Sequence, residues 1–453
     1  MSQKRGLNRR KFIKTTTGVA TGALAFPHIV PSSVFGANAP SNRIVVGCIG
    51  VGGQGTRNLR GFLSDSSVQV VAVCDVVTAS GDYDNGWGDV GYWGREPARL
   101  LVEDRYAKET ASGTFKGCAA YNDFRELLAR DDIDAVTVVT PDQWHAVISI
   151  MAARSGKHIY CEKPMTLTIS EGRAMIDAVR SNNVVFQTGS HERSSQSTRF
   201  GCELVRNGRI GELKRIRTVV GKNNKKAPPA HWKPMPIPDG FDYDMWLGPA
   251  PYAPYHKDRC LYNFRFGLDY SGGQITNYGS HSLDMAQWGN NTDHTGPIEV
   301  EDLGGEFPKD GLFTTATFVH FRALYANGVE LICKTVGDDA GARFEGREGW
   351  VDITPGGLKT EPESLKESVI GPNEIHLYQS NSHRRNFLDC IRTGRDTAAP
   401  VEVGHRSATV CHLGNIAMML KRKLKWDPEK ERFIGDEQAN RMLSKPMRGP
   451  WHL

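Results

Sequence analysis

Long apolar runs are missing from this chain after its first forty residues, so no later segment is suited to cross a bilayer as a helix. Also missing are C-x-x-C pairs and His/Cys clusters at zinc-ligand spacing, so no metal centre is expected. The cysteine count, nine, is odd, and most of the nine lie inside apolar runs, such as Cys48 within Ile44–Ile49 and Cys74 closing Val70–Cys74. That favours buried thiols, packed like small hydrophobes, over a disulfide framework. An excess of charge of one sign is lacking too. The formal net charge is +5, but Lys4, Arg5, Arg9, Arg10, Lys11 and Lys14 sit in the first fourteen residues with no acid among them. The remainder is close to neutral and has no clustered Lys and Arg with which to grip phosphate backbones, which argues against a nucleic-acid partner. No internal repeat or low-complexity segment is visible.

What is present describes a loop-rich globular chain. With 453 residues, 39% hydrophobic and 24% charged, 48 Gly and 23 Pro, it has length for two or three domains with real cores. The opening is distinct. Asn8-Arg9-Arg10-Lys11-Phe12-Ile13-Lys14 precedes a weakly apolar, small-residue stretch, Thr15–Ala25, and a Pro-containing segment ending Ala37-Asn38-Ala39. Residues 1–39 read as a twin-arginine signal, handing a folded protein to the twin-arginine export machinery and placing it in the periplasm or outside the cell. Pro40 after the Ala-x-Ala site would hinder a peptidase, leaving a membrane-tethered form open. A basic disordered tail is the plainer alternative.

Arg43–Ile49 is a nearly continuous apolar run, as a strand buried on both faces of a parallel sheet requires. Gly50-Val51-Gly52-Gly53-Gln54-Gly55 follows at once. Gly50 suits the tight turn, Gly52 the approach of a pyrophosphate, and Gly55 close packing of the next helix, expected from Thr56 to about Ser64 with its N-terminus toward phosphate. A second buried strand, Val68–Cys74, ends in Asp75, placed 25 residues after Gly50 to take ribose hydroxyls. A carboxylate there repels a 2′-phosphate, so NAD is favoured over NADP. Further strand-helix alternation follows. Asp123–Arg130 reads as a helix, and Asp134–Val139 as a strand ending in Thr140-Pro141-Asp142-Gln143-Trp144-His145. After a further helix, the strand Lys157–Cys161 delivers Glu162-Lys163-Pro164. Such alternation demands right-handed crossovers and a doubly wound sheet, with ligands beyond the carboxyl ends of the strands, where Thr140, Pro141, His145, Glu162 and Lys163 fall.

Gly50–Gly55, Thr140-Pro141 and above all Glu162-Lys163-Pro164 together resemble the glucose-fructose oxidoreductase/inositol dehydrogenase/rhizopine catabolism (Gfo/Idh/MocA) family. A second signature, Gly272–Asp284, resembles the family's Asp-x-Gly-x-His-x-x-Asp with Asn277 where the first Asp is usual. The resemblance implies that Lys163 lies between nicotinamide and substrate, that Pro164 orients the strand end, and that His281 is a general acid/base. Asn277 cannot supply charge to that His and is left with fixing hydrogen-bond geometry. Independently, His281 and Asp284 stand three apart and share a face if helical. The resemblance also implies an α/β architecture, an N-terminal Rossmann domain (residues 40–168) with a doubly wound parallel sheet, and a C-terminal α+β domain (169–453) with an open, largely antiparallel sheet used for pairing into a dimer or tetramer.

In the second half, a helix is expected over Ile169–Ser181, then Val184–Gly189 and the polar His191-Glu192-Arg193, suited to sugar hydroxyls. His191, Arg193, Lys163 and Asp284 are the candidate substrate contacts. Arg217–Gly221, Val300–Leu303, Thr314–Phe321, Val329–Thr335 and Trp350–Thr354 read as strands, with Asn327-Gly328 a hairpin turn. Asn386–Arg392 and Ser407–Leu420 read as helices, and the tail to Leu453 as a wrap over an existing domain. Two loops rich in aromatic residues, Gly81–Arg95 (Tyr83, Trp87, Tyr92, Trp93) and Ala227–Tyr262 (His231, Trp232, Trp246, Tyr252), suit either a sugar platform or ordinary packing. The leading expectation is an NAD-dependent dehydrogenase or reductase acting on a small carbohydrate or polyol. A redox-neutral glycosidase, oxidising, eliminating, hydrating and reducing in turn, is the rival. A sugar-binding protein that holds NAD structurally is the third reading.

Overall fold

Buried apolar runs set the first layer. In the computed structural model, which describes residues 42–82, 91–222, 231–337, 340–354 and 356–453, β1 (Ile44–Ile49) and β2 (Val68–Cys74) are buried along almost their whole length. With β3 (Ala119–Tyr121), β4 (Ala135–Val138), β5 (His158–Cys161) and β6 (Phe186–Thr188) they form a sheet in the order β3-β2-β1-β4-β5-β6. Every pairing in it is parallel. The strand order reverses between β1 and β4, opening a crevice at their carboxyl ends. The segment expected to act as an export signal lies outside the described residues, as do Tyr83 and Trp87.

The helix Ile169–Ser181 has the expected bounds because its ends are chemically marked. Thr168 and Glu171 form a reciprocal capping box at the start, and the chain turns off through Asn182 and Asn183, the latter at φ 51°. The helix does not open a new domain, however. It is the crossover between β5 and β6, so the first sheet runs on past the boundary expected at residue 168.

The second sheet has the order β13-β12-β11-β7-β10-β9-β8-β14-β15. Its strands are β7 (Leu213–Val220), β8 (Glu299–Asp302), β9 (His320–Leu324), β10 (Glu330–Thr335), β11 (Gly341–Gly346), β12 (Trp350–Thr354), β13 (Gly357–Glu361), β14 (Leu424–Asp427) and β15 (Arg432–Phe433). Only β7 and β10 pair in parallel, so the sheet is largely antiparallel. Alternating burial along β10 and β12 puts one face on a core that includes Trp288, Phe321, Phe344 and Trp426, packed against the helices Gly279–Gly289 and Val401–Leu420. The other face carries charge ladders such as Arg215–Glu330–Arg322–Glu299. Burying one large aromatic is worth about 1.5–3 kcal/mol, so the packed face dominates and those ladders add little.

One expectation about strands needs correction, and one strand was not foreseen. Thr314–Phe321 is not one strand: Thr314 and Thr315 both donate their backbone N–H to the Phe266 carbonyl, and pairing with β10 starts only at His320. Gly341–Gly346 is a strand although its two glycines weaken the signal, because β7 and β12 flank it on both sides. Residues 44–453 form a single compact unit. Late segments return to the first sheet: Phe387 and Leu388, from the helix His383–Thr393, join the core of β1 and β2, and Trp451 packs on Trp144 and Phe124. All nine cysteines are buried and unpaired.

Candidate active site

The crevice holds a cavity of about 630 Å³ lined from both halves of the chain. Its floor at one end is the glycine turn. Gly50 has φ 79°, and a Cβ there would lie 2.4 Å from the Val139 carbonyl oxygen; a Cβ on Gly55 would lie 1.9 Å from the Gly50 carbonyl oxygen. The backbone is therefore as close as atoms allow, and the helix it feeds, Gly53–Leu63, begins three residues earlier than expected, with Gly53 and Gln54 in its first turn. Gly50, Gly52, Gly53, Gln54, Gly55 and Asp75 all line this end. Asp75 Oδ2 accepts from the Val51 N–H at 2.8 Å and Oδ1 from Val77 N–H at 2.9 Å, which fixes the carboxylate at the strand end.

Thr140, Pro141, His145 and Glu162 line the middle. His145 is buried, with Nδ1 2.7 Å from the Pro164 carbonyl and Nε2 2.8 Å from the Thr140 carbonyl. Both partners are acceptors, so the ring binds both only as imidazolium. Burial opposes that charge, but Cys161, Asp142 and the Pro164 carbonyl outweigh it and raise the pKa to about 10. His145 thus ties two strand ends together. Glu162 accepts from Asn58 Nδ2 at 2.9 Å and from the Lys163 N–H at 3.2 Å, and lies 3.5 Å from His191 Nε2. Burial would raise its pKa, yet the bond and charge of His191, with Lys163 and Asn58, hold it well below the carboxylate range.

Lys163 and His281 face the other end. Lys163 Nζ donates to the Asn277 carbonyl at 3.0 Å and to Asn277 Oδ1 at 2.8 Å. Burial, with Arg265 nearby, brings Lys163 down to about 8 despite the opposing pull of Glu162 and Asp142. Burial and the charges of Lys163 and His191 push His281 down to about 3, so it is neutral at pH 7. Asn277 does not orient His281 as expected: its oxygen holds Lys163 and its Nδ2 donates to Gln274 Oε1 at 3.0 Å. His191 lines the cavity and shares its Nε2 with the Tyr160 hydroxyl at 3.2 Å.

Arg193 and Asp284 are a correction. Neither is among the described residues that line the cavity. Arg193 Nε lies 2.9 Å from both Asp284 oxygens, its guanidinium also grips Asp293 at 2.7 Å, and it sits over the Trp288 ring at 5.1 Å. Ser407 takes up Asp284 Oδ1 at 2.7 Å. The pair is buried and its bonding capacity is consumed within the core, so it holds the helix Gly279–Gly289 rather than a ligand. The aromatic loops also divide. Trp93 is buried under Arg60 and pairs with Ser80, away from the cavity. Tyr243, Trp246 and Tyr255 form a buried aromatic cluster, of which Trp246 reaches the cavity, and Tyr252 is exposed.

Several lining residues carried no motif. Asp142 follows Thr140-Pro141 directly and is 4% exposed, with no hydrogen-bond partner on Oδ2; Thr140 Oγ1 is likewise unpartnered. Asn58 lies one helical turn beyond the glycine turn. Arg265 stands in a 3₁₀ helix, Leu261–Phe266, with no sequence signature at all.

Two family models match. One, described as the oxidoreductase family's C-terminal alpha/beta domain, spans residues 214–453, more than half of the chain. The other, the family's NAD-binding Rossmann fold, spans 97–190. The chain belongs to the Gfo/Idh/MocA oxidoreductase family. It is similar to an uncharacterized oxidoreductase of Streptococcus pneumoniae (28% identity over 43% of this chain and 54% of that one). It is also similar to an alpha-N-acetylgalactosaminidase of Shewanella oneidensis (31% identity over 46% of this chain and 44% of the relative). The match thus spans about half the length of these curated relatives. Among solved structures, the aldose-aldose oxidoreductase of Caulobacter crescentus, complexed with glycerol, superposes with a TM-score of 0.59 at 19% identity, over 84% of this chain and 99% of that one. The family's Rossmann model is described as NAD-binding, and the glycine turn, with no room for a Cβ on Gly50 or Gly55, fits a pyrophosphate at the helix N-terminus.

Proposed function

We propose that this chain moves a hydride between NAD and a carbon bearing a hydroxyl or ketone on a sugar or polyol. The observation that carries the reading is the meeting, on one cavity wall, of Lys163 and a neutral His281, at the opposite end from the glycine turn. Bound NAD supplies the hydride acceptor or donor at its nicotinamide. Gly50, Gly52, Gly53, Gln54 and Gly55 hold the pyrophosphate, Asp75 takes the ribose hydroxyls and disfavours a 2′-phosphate, and Thr140, Pro141, His145 and Glu162 shape the path to the reacting end. The free acceptors on Asp142 and Thr140 suit ligand N–H or O–H groups.

At the reacting end, neutral His281 takes the proton of the substrate hydroxyl, and the Lys163 ammonium, positioned by Asn277, stabilises the oxygen as negative charge develops. His191, 3.5 Å from Glu162, offers a further polar contact. Similarity to an alpha-N-acetylgalactosaminidase favours one second reading, redox-neutral glycoside cleavage, in which the same oxidation is the first half of the cycle. The deciding experiment incubates the NAD-loaded protein with free sugars, polyols and aryl glycosides while absorbance at 340 nm is followed. A rise at 340 nm without bond cleavage supports the oxidoreductase; aglycone release without net change supports the glycosidase. If Lys163→Ala and His281→Ala keep wild-type turnover on a substrate so found, the assigned roles are wrong.

We further propose that residues 1–39 direct twin-arginine export and that the mature protein forms a dimer or tetramer. Replacing Arg9 and Arg10 by Lys should retain the protein in the cytoplasm, and light scattering reads the assembly.

A further inference from the structure

Arg265 is a cation of the cavity wall that the reaction just described does not use. It belongs to the segment Leu261–Phe266 that closes the Lys163 end, and its guanidinium lies 3.9 Å from the centre of the Tyr262 ring and 5.3 Å from that of Phe264. The two rings hold the planar group in place while leaving its N–H fork unspent. Among the described residues it makes no ion pair and no hydrogen bond. By contrast, Arg193, Arg173 and Arg406 are each held by carboxylates.

The acids that reach this end do not neutralise it. Glu162 is committed to Asn58, the Lys163 backbone and His191. Asp142 lies near enough to feel Arg265, but among the described residues it makes no ion pair with it, and it also feels His145 and Lys163. Arg265 and Lys163 are therefore two neighbouring cations on the wall of one cavity, an arrangement that an entering anion relieves. A stacked, pre-oriented guanidinium matches the paired oxygens of a carboxylate.

We propose that Arg265 receives a carboxylate of the substrate, making the preferred substrate an acidic sugar: a uronic or aldonic acid, or a glycoside of one. This deepens the function proposed above and rests on its reading that the cavity takes a carbohydrate beside Lys163. A carboxylate is favoured over a phosphate ester because Lys163 is committed to the reacting oxygen, so the Arg265 fork and its single charge are left to match one negative charge, whereas a phosphate ester carries close to two at neutral pH.

The test uses the NAD-loaded protein and matched probes: glucose, glucuronate and glucose 6-phosphate, then galactose, galacturonate and galactose 6-phosphate, with methyl glycosides of each. Affinity is read by calorimetry and turnover at 340 nm. The uronates should bind at least about tenfold more tightly than the neutral sugars, and the ratio should fall to near one in Arg265→Gln and recover in part in Arg265→Lys. Circular dichroism confirms that each variant is folded. Neutral sugars binding as tightly as uronates, a preference for the 6-phosphates, or an Arg265→Gln loss confined to NAD affinity each overturn the proposal. Tight, Arg265-dependent uronate binding with neither reduction at 340 nm nor cleavage would uphold it and sink the proposed function instead.

Discussion

Asn277→Asp is the most informative single change, because it places a carboxylate where a neutral amide now holds Lys163. The Asn277 oxygen is 2.8 Å from Nζ, and the lysine sits at about 8 because burial is offset only in part by Glu162. An opposite charge at such a distance raises a lysine by about one to three pH units. The cation that stabilises the developing alkoxide is lost on the alkaline side, so kcat/KM of the wild type should be level near neutrality and fall above pH 8. In Asn277→Asp the fall should move to roughly pH 9–11. At pH 10 the wild type would keep about 1% of its plateau and a variant shifted by two pH units about half, a ratio of roughly fifty. The assay is kcat/KM against pH at 340 nm with a substrate from the panel. An alkaline limb that stays in place would show that Lys163 does not set it. Wild-type activity that rises through pH 8 would show the neutral amine acting as base, reversing the roles of Lys163 and His281.

Gly55→Ala puts a methyl group 1.9 Å from the Gly50 carbonyl oxygen, and NAD affinity should fall at least about tenfold in a fluorescence titration; unchanged affinity would remove the turn from the site. Arg193→Met strands Asp284 and Asp293, one of them fully buried, and should cost about 3–5 kcal/mol in urea unfolding. A cost below about 1 kcal/mol would mean the pair is not what anchors the helix. His145, with both ring nitrogens on carbonyls, should show both nitrogens protonated at pH 8 in nitrogen-15 spectra, and a neutral ring there would refute the double clamp. Its folded value, about 10, lies above its ordinary 6.5, so its contribution to stability is complete below pH 6.5 and is lost as pH rises through 10.

The sequence alone specified what short-range chemistry can specify. The glycine turn, the strands on either side of it and the helix Ile169–Ser181 were legible because continuous burial, absent side chains and a Thr/Glu cap leave marks within a few residues. Glu162-Lys163-Pro164 and His281 were legible as motifs, and both reach the cavity. Other features were decided at long range. That Asn277 grips Lys163 rather than His281 follows from how Gly272–Asp284 lies across the ends of the first sheet, over more than a hundred residues of separation. Arg193 and Asp284 looked like substrate contacts for the same polarity that, once Asp293, Trp288 and Ser407 closed around them, made them a structural core. The boundary at residue 168 failed because a crossover helix looks the same from within whether the strand after it joins the old sheet or begins a new one. Arg265 bears no mark in its neighbours in the chain. Its unspent charge is visible only once the fold shows which carboxylates do not reach it.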